Sequence, residues 1–180
     1  TPKEREQKQK EADSWYSGKK KKHTIKSQVG VDRNSGEVVD VDVDESVRGP
    51  TGDLGLLKKS LLMERIPEGV SGEGDLAYVG IAKLHPQKLG FTPRRKPRGR
   101  DKNRPRGEDK TRPPEDIADN KAFAKSRIVV EHTICRMHRY ECLAQPDRHH
   151  RGIKGHTERT RAVAGLVNRQ IRHRLPFMVR

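Results

Sequence analysis

Residues 87–112 limit most strongly what this chain can fold into. Eleven Lys and Arg side chains crowd the stretch, opposed by Asp101, Glu108 and Asp109. Pro93, Pro97 and Pro105 and Gly90, Gly99 and Gly107 punctuate it. Proline removes backbone donors, glycine offers no side chain to pack, and the cations repel one another. The stretch is expected to stay outside any core, as a mobile loop that orders on nucleic acid. Whatever core exists must be drawn from the segments on either side.

Those segments have little apolar material. Of 180 residues, 30% are hydrophobic and 36% charged, and the formal net charge is +15. That is a thin core for one domain. The positive excess, with few aromatics, favours a phosphate-backbone partner over an apolar one. Cys135 and Cys142 stand seven apart and read as reduced thiols of a cytoplasmic protein, not as a disulfide framework. No apolar run is long enough to span a membrane, and no signal peptide is evident. Neither a membrane nor a small-molecule substrate is expected as a partner.

Residues 1–13 are wholly polar and read as a solvated connector, loop or helix. Lys19, Lys20, Lys21 and Lys22 lead into a strand over residues 23–32, where Ile25, Val29 and Val31 are apolar. Asn34, Ser35 and Gly36 signal a turn, and residues 37–43 form a second strand, so the pair predicts a β-hairpin. Asp40, Asp42 and Asp44 alternate with valines and read as the wet face of an edge strand. Residues 54–65 predict a helix with Leu54, Leu57, Leu61 and Leu62 as its stripe, capped by Thr51 or Asp53 and ended by Pro67 and Gly69. Asp75 then follows Gly72 and Gly74 at a strand end. It is either an ordinary turn Asp or a carboxylate placed for close approach to a ligand.

Pro113 and Pro114 predict the start of a long helix, with Glu115 and Asp116 in its first turn. Within it, Glu131 shares a face with Arg127, Cys135 and His138. Phe123, Val130, Ile134 and Met137 form the apolar stripe beside that face. A carboxylate ringed by cations suits a metal and phosphate site; an ordinary solvated helix with an Arg–Glu pair would look the same. Residues 144–156 are a His- and Arg-rich connector, and residues 157–174 predict an amphipathic helix with Val163, Leu166, Val167 and Ile171 inside. His132, Cys135, His138, Cys142, His149, His150 and His156 lack the spacing of a zinc site.

Strand, turn, strand, helix, Asp-ending strand, basic loop and Glu-bearing helix come in the order of a ribonuclease-H-like α/β fold, a mixed sheet flanked by helices. Four stretches add a more specific likeness: YSGKKKKHTIKSQV at 16–29, GDLAYVGI at 74–81, KPRGR at 96–100 and RIVVEHTICRMHR at 127–139. RAVAGLVNRQIR at 161–172 follows them. In their joint order and spacing these resemble the DDE transposases of bacterial insertion sequences, a group related to the Harbinger-type endonucleases. The resemblance covers nearly the whole chain.

The resemblance implies a triad of Asp, Asp and Glu that holds two divalent cations, Mg²⁺ before Mn²⁺, for in-line displacement at DNA phosphorus. It makes Asp75 the second Asp and Glu131 the third acid, both catalytic and metal-binding. The family's pattern around the Glu is Tyr-x2-Arg-x3-Glu-x6-Lys. Arg127 and Glu131 match it, while Ala124 holds the Tyr position and His138 the Lys position. The first Asp is expected upstream of Thr1, Asp13 and Asp32 being poor substitutes. The chain would then be a C-terminal part of the catalytic domain. Its sheet would lack the middle strand, and it would be marginally stable alone, binding DNA but hardly cutting it.

Contacts to the DNA backbone are expected from Lys19, Lys20, Lys21, Lys22, Arg94, Arg95, Lys96, Arg98, Arg127, Arg136, His138 and Arg139. The implied partners are DNA, at the element's ends and the target, and further copies of the chain on DNA, in the cytoplasm at the nucleoid. The implied division is a polar connector (1–15), a catalytic domain (16–143) with its basic loop, and a basic connector with a C-terminal helix (144–180). The alternative is a catalytically dead, transposase-derived DNA-binding protein. An RNA-associated basic protein would explain the charge but neither Asp75 nor the Arg127–Glu131 pair.

Overall fold

A computed structural model describes residues 2–13, 16–19, 21–41, 47–48, 51–95, 113–145 and 152–174. The elements run α1 (Pro2–Asp13), β1 (Tyr16–Ser17), β2 (Lys22–His23), β3 (Ile25–Lys26), β4 (Val29–Val31), β5 (Val38–Val41) and β6 (Val47–Arg48). Then come α2 (Asp53–Ser60), α3 (Leu62–Arg65), β7 (Gly72–Glu73), β8 (Gly90–Phe91), α4 (Pro114–His138), α5 (Glu141–Ala144) and α6 (Gly152–Arg174). Short 3-10 turns, Leu76–Tyr78 and Ile81–Lys83, lie between β7 and β8. The fold is mixed α/β. Among the described residues the strands pair two by two: β1 with β2, β3 with β6 and β4 with β5 antiparallel, and β7 with β8 parallel. No helix among them is long and apolar enough to cross a membrane. The polar connector is helical, with Lys10 reaching Glu6 at 2.7 Å.

The predicted hairpin is present in part, as β4 and β5; the strand expected over 23–32 is broken, with β2 paired to β1 and β3 to β6. Its turn is built on Asp32, whose Oδ1 accepts from Ser35 N (2.7 Å), Ser35 Oγ (2.8 Å) and Asn34 N (3.1 Å). These bonds, that of the Ser35 backbone first, hold its carboxyl below the usual carboxylate range. Gly36 closes the turn at φ +76, where a side chain would be strained and its Cβ would press on Val129 at 3.3 Å.

Strict alternation over residues 37–43 is not what forms. Val38 and Val41 are both buried and Val39 is 68% exposed. Gly30 faces Asp40 but Val31 faces Val38, so Val39 is the extra residue of a β-bulge. Asp40 consequently leaves the wet face and pairs with Arg65 at 3.3 Å. Asp42 and Asp44 lie outside the described residues.

α6 covers this hairpin, and it begins at Gly152, inside the stretch expected as a connector. Val163, Ala164, Val167 and Ile171 join Val38, Val41 and Met137 of α4 in one core. Leu166, expected inside, is exposed, and Ala164 packs instead. At 3.6 residues per turn the line through Thr160, Val167 and Ile171 passes residue 164, not 166. Asn168 binds the backbone of Val38 twice, accepting from its N–H at 2.7 Å and donating to its C=O at 2.8 Å. One side-chain amide thereby stands in for a neighbouring strand.

Arg172 forks onto Glu37 at 2.8 and 3.0 Å. Its hydrogen bond, and then its charge, hold the Glu37 carboxyl below the usual range. With the folded value below the unfolded one, the pair adds stability above the ordinary Glu range and loses it as pH falls below that range. Glu37→Gln is expected to flatten the acid limb of a melting-temperature profile; an unaltered profile would mean the pair contributes nothing.

Leu57, Met63 and Ile81 form a second core, with Leu54, Leu62, Ile66, Tyr78 and Leu84 around it. The one helix predicted over 54–65 is two, because Leu61 takes φ +50 and is exposed. A left-handed residue costs about 1–2 kcal/mol. The redirected chain buries Met63, worth roughly 1.5–3 kcal/mol, which offsets it. Neither Thr51 nor Asp53 caps α2. The N-cap is Gly52, and Asp53 pairs with Lys26 at 3.1 Å.

Two further expectations are corrected. Residues 87–95 are not outside the packed body, since β8 pairs with β7 and Gly90 abuts the backbone of Ala82. Residues 96–112 lie outside the described residues. α4 starts at the predicted prolines, but its buried face is Ser126, Thr133 and Met137, and Ile134 is exposed. Thr133 wins the inner position because its hydroxyl donates to Gly36 O at 2.7 Å. The backbone carbonyl of the hairpin turn needs a donor there, which isoleucine lacks.

Candidate active site

Asp75 leaves β7 through Gly74. A Cβ on Gly72 or Gly74 would meet Met63 or Tyr78 at 2.6 Å, so these two positions face the second core. By alternation Glu73 faces the other way. There its Oε2 accepts from Ser126 Oγ at 3.1 Å and its Oε1 from Arg33 Nη1 at 2.9 Å. Asp75 keeps an extended backbone (φ −76, ψ −171), which carries it toward the Glu73 side. Its Oδ1 accepts from Ala77 N at 2.8 Å and caps the following turn.

Glu131 stands on an exposed flank of α4, with Arg127 Nη2 at 3.2 Å from its Oε1. A surface pair one helical turn apart is worth only about 0.3–0.5 kcal/mol. A phosphate or a cation can therefore displace either partner at little cost. Contacts along α4 come in order: Asn120 with Arg94, Ser126 with Glu73, and Thr133 with Gly36. The helix thus joins the Asp75 segment to the hairpin, while Asp75 and Glu131 keep separate partners.

The basic candidates divide. Lys19, Lys21 and Lys22 are exposed around β1 and β2, and His138 and Arg139 at the end of α4; Arg136 is half-buried. Arg94 is tied to Asp116 at 3.0 Å and Asp119 at 3.3 Å, and Arg95 to Leu76 O at 3.2 Å. Lys20, Lys96 and Arg98 lie outside the described residues. Sequence reasoning missed Glu73 and Ser126. The signal was the Gly-Glu-Gly run before Asp75, where alternation sets one acid on the α4 side.

A family model described as DDE superfamily endonuclease matches residues 1–168. The chain belongs to this family. The likeness drawn from the four stretches is thereby borne out. A "Probable transposase for insertion sequence element IS702" from Microchaete diplosiphon is 28% identical over 160 residues, covering 87% of this chain and 50% of the relative. The chain spans about half the length of that curated relative. No solved structure matches it.

DDE superfamily endonucleases depend in general on divalent metal. Among the described residues of this one, no three His, Cys, Asp or Glu side chains gather closely enough to hold a metal ion. In this arrangement Asp75 Oδ1 caps its turn and Glu131 Oε1 meets Arg127, so each acid has one oxygen engaged by a neighbour.

Proposed function

We propose that the chain is the Asp- and Glu-bearing part of the catalytic domain of an insertion-sequence transposase, which cleaves DNA strands and transfers them. Asp75 and Glu131 are its second and third acids. The observation that carries this reading is that Asp75 follows β7 by two residues, Glu131 stands on α4, and Glu73 of β7 touches Ser126 of α4, within a chain of this family. Positions 16–143 form a ribonuclease-H-like unit, with 1–15 as connector and 144–180 as a basic segment whose helix α6 completes the first core. The antiparallel hairpin and the parallel β7–β8 pair support it. The cation, Mg²⁺ or Mn²⁺, is proposed on family membership alone.

DNA is the substrate, at the element's ends and at the target, and copies of the chain associate on it. The exposed side chains of Lys19, Lys21, Lys22, His138 and Arg139 contact phosphates, which position the duplex without reading it. Each phosphate contact adds about 0.9 to the slope of log affinity against log salt. Changing Lys19, Lys21 and Lys22 to Gln should lower that slope by up to ~2.7. Identical slopes would remove the cluster from the interface. Nicking of DNA that carries the element's ends tests the activity itself: the transposase carrying this chain should cut and its Asp75→Asn variant should not. Equal cutting by both would refute the reading.

A further inference from the structure

We propose that Glu73 is a positioning residue that sets how the Asp75 strand approaches the Glu131 helix. The proposal rests on the reading of Asp75 and Glu131 as catalytic acids. Glu73 ends β7 and precedes Asp75 by two residues. Ser126 lies five residues before Glu131 on α4, on the buried face rather than the exposed flank that carries Glu131. The Glu73–Ser126 contact at 3.1 Å therefore links the segment that leads into Asp75 to the helix that carries Glu131.

The two cores make this link consequential. β7 belongs to the second core, through Gly72 against Met63. α4 belongs to the first, through Met137. Arg94, tied to Asp116 and Asp119, joins them near the start of α4. Glu73 joins them further along, at Ser126. Its other oxygen holds Arg33 of the hairpin turn at 2.9 Å. That same turn is fastened to α4 by Thr133 at 2.7 Å. Hairpin, β7 and α4 thus close a triangle of polar contacts, and Glu73 supplies two of its three sides.

Ser126 is buried, and its Oγ has one proton for two acceptors: Phe123 O at 2.8 Å and Glu73 Oε2 at 3.1 Å. A carboxylate is the stronger acceptor, so Glu73 competes with the helix's own carbonyl for that proton. Without the carboxylate the hydroxyl returns to the helix, and β7 is freed from both α4 and Arg33. Gly72 and Gly74 keep β7 on its own core, so the fold survives while the distance between the acids loosens. A misplacement of about 1 Å can cost ~10²-fold in rate. The loss therefore appears in the chemical step, not in DNA binding.

The test uses the transposase carrying this chain, DNA bearing the element's ends, and single-turnover cleavage measured beside DNA affinity and thermal melting. Glu73→Ala and Ser126→Ala should each slow cleavage at least about tenfold, with affinity within about twofold. The double variant should be no slower than the slower single, because both remove one contact. Ser126→Thr, which keeps the hydroxyl, should restore most of the rate. Should Glu73→Ala lose its melting transition, Ser126→Ala, which removes the same contact and leaves Arg33 on Glu73, reads the same split. Cleavage at the wild-type rate in the Glu73 variants overturns the proposal, as does a double variant whose loss is the product of the two. Asp75→Asn runs alongside: if it cuts normally, the assignment of the acids has failed, and the proposal falls with it. If Asp75→Asn is dead and Glu73→Ala is normal, only the proposal falls.

Discussion

Asp75→Asn and Glu131→Gln are each expected to slow strand cleavage at least about a hundredfold while DNA affinity stays within about twofold. Both changes keep the shape of the side chain and remove its charge. Neither should disturb the fold. Asn caps a turn about as well as Asp, so the bond to Ala77 N at 2.8 Å has a replacement acceptor. The Arg127–Glu131 pair is exposed and worth only about 0.3–0.5 kcal/mol. A large fall in rate from two substitutions so cheap for the fold would have no structural explanation. Single-turnover cleavage measured beside urea unfolding separates the two effects. A wild-type rate in either variant would take that residue out of the site.

Gly90→Ala should destabilise the protein by about 1–3 kcal/mol, the usual range for overpacking. A Cβ there would lie 2.5 Å from Ala82 N and 2.7 Å from Ala82 Cα, and backbone atoms cannot rotate away. Either β8 moves off the 3-10 turn at Ile81–Lys83 or it parts from β7. The second outcome would loosen Gly72 N to Leu89 O (2.8 Å) and Gly74 N to Phe91 O (3.0 Å), the bonds that seat the segment carrying Asp75. Against a total stability of roughly 5–15 kcal/mol such a loss is readily measured. Gly165→Ala is the contrast. It lies in the helix α6 with nothing within 4 Å of the new Cβ, so it should stabilise by about 0.5–1 kcal/mol. Similar urea midpoints for the two variants would show that Gly90 is not held against Ala82.

The elements that sequence periodicity located well are those whose faces are set by many residues. α6 and the β4–β5 hairpin were legible for that reason, whereas α4 was located by the prolines at its start and not by its stripe, and Gly36 marked the hairpin turn. What escaped was decided by single contacts between distant parts. Nothing local in residues 37–43 marks Val39 as a bulge; the register with Val31 decides it. Leu61 looked like a core leucine because a helix was assumed to run through it, and the left-handed break turns Met63 inward instead. Thr133 displaces Ile134 from the inner face of α4 only because the carbonyl of Gly36 waits there. The charge of residues 87–112 hid the pairing of β8, since a strand of two residues against a neighbouring strand needs little apolar area.

The candidate site was legible in part for a different reason. Asp75 and the Arg127–Glu131 pair were found by their place in a family pattern that runs along the chain. No local property distinguishes Asp75 from a turn residue, and in the structure it does cap a turn. Glu73 belongs to no such pattern, and only the fold brings it to Ser126 and Arg33.

The central claim is that Asp75 and Glu131 work as one site. Single-turnover cleavage by the Asp75→Asn/Glu131→Gln double variant, set against each single variant, tests it most directly. Groups that act together are strongly non-additive, so the double variant is predicted to be no slower than the slower single. A double variant slower by the product of the two single losses, or single variants that cut at the wild-type rate, would contradict the claim.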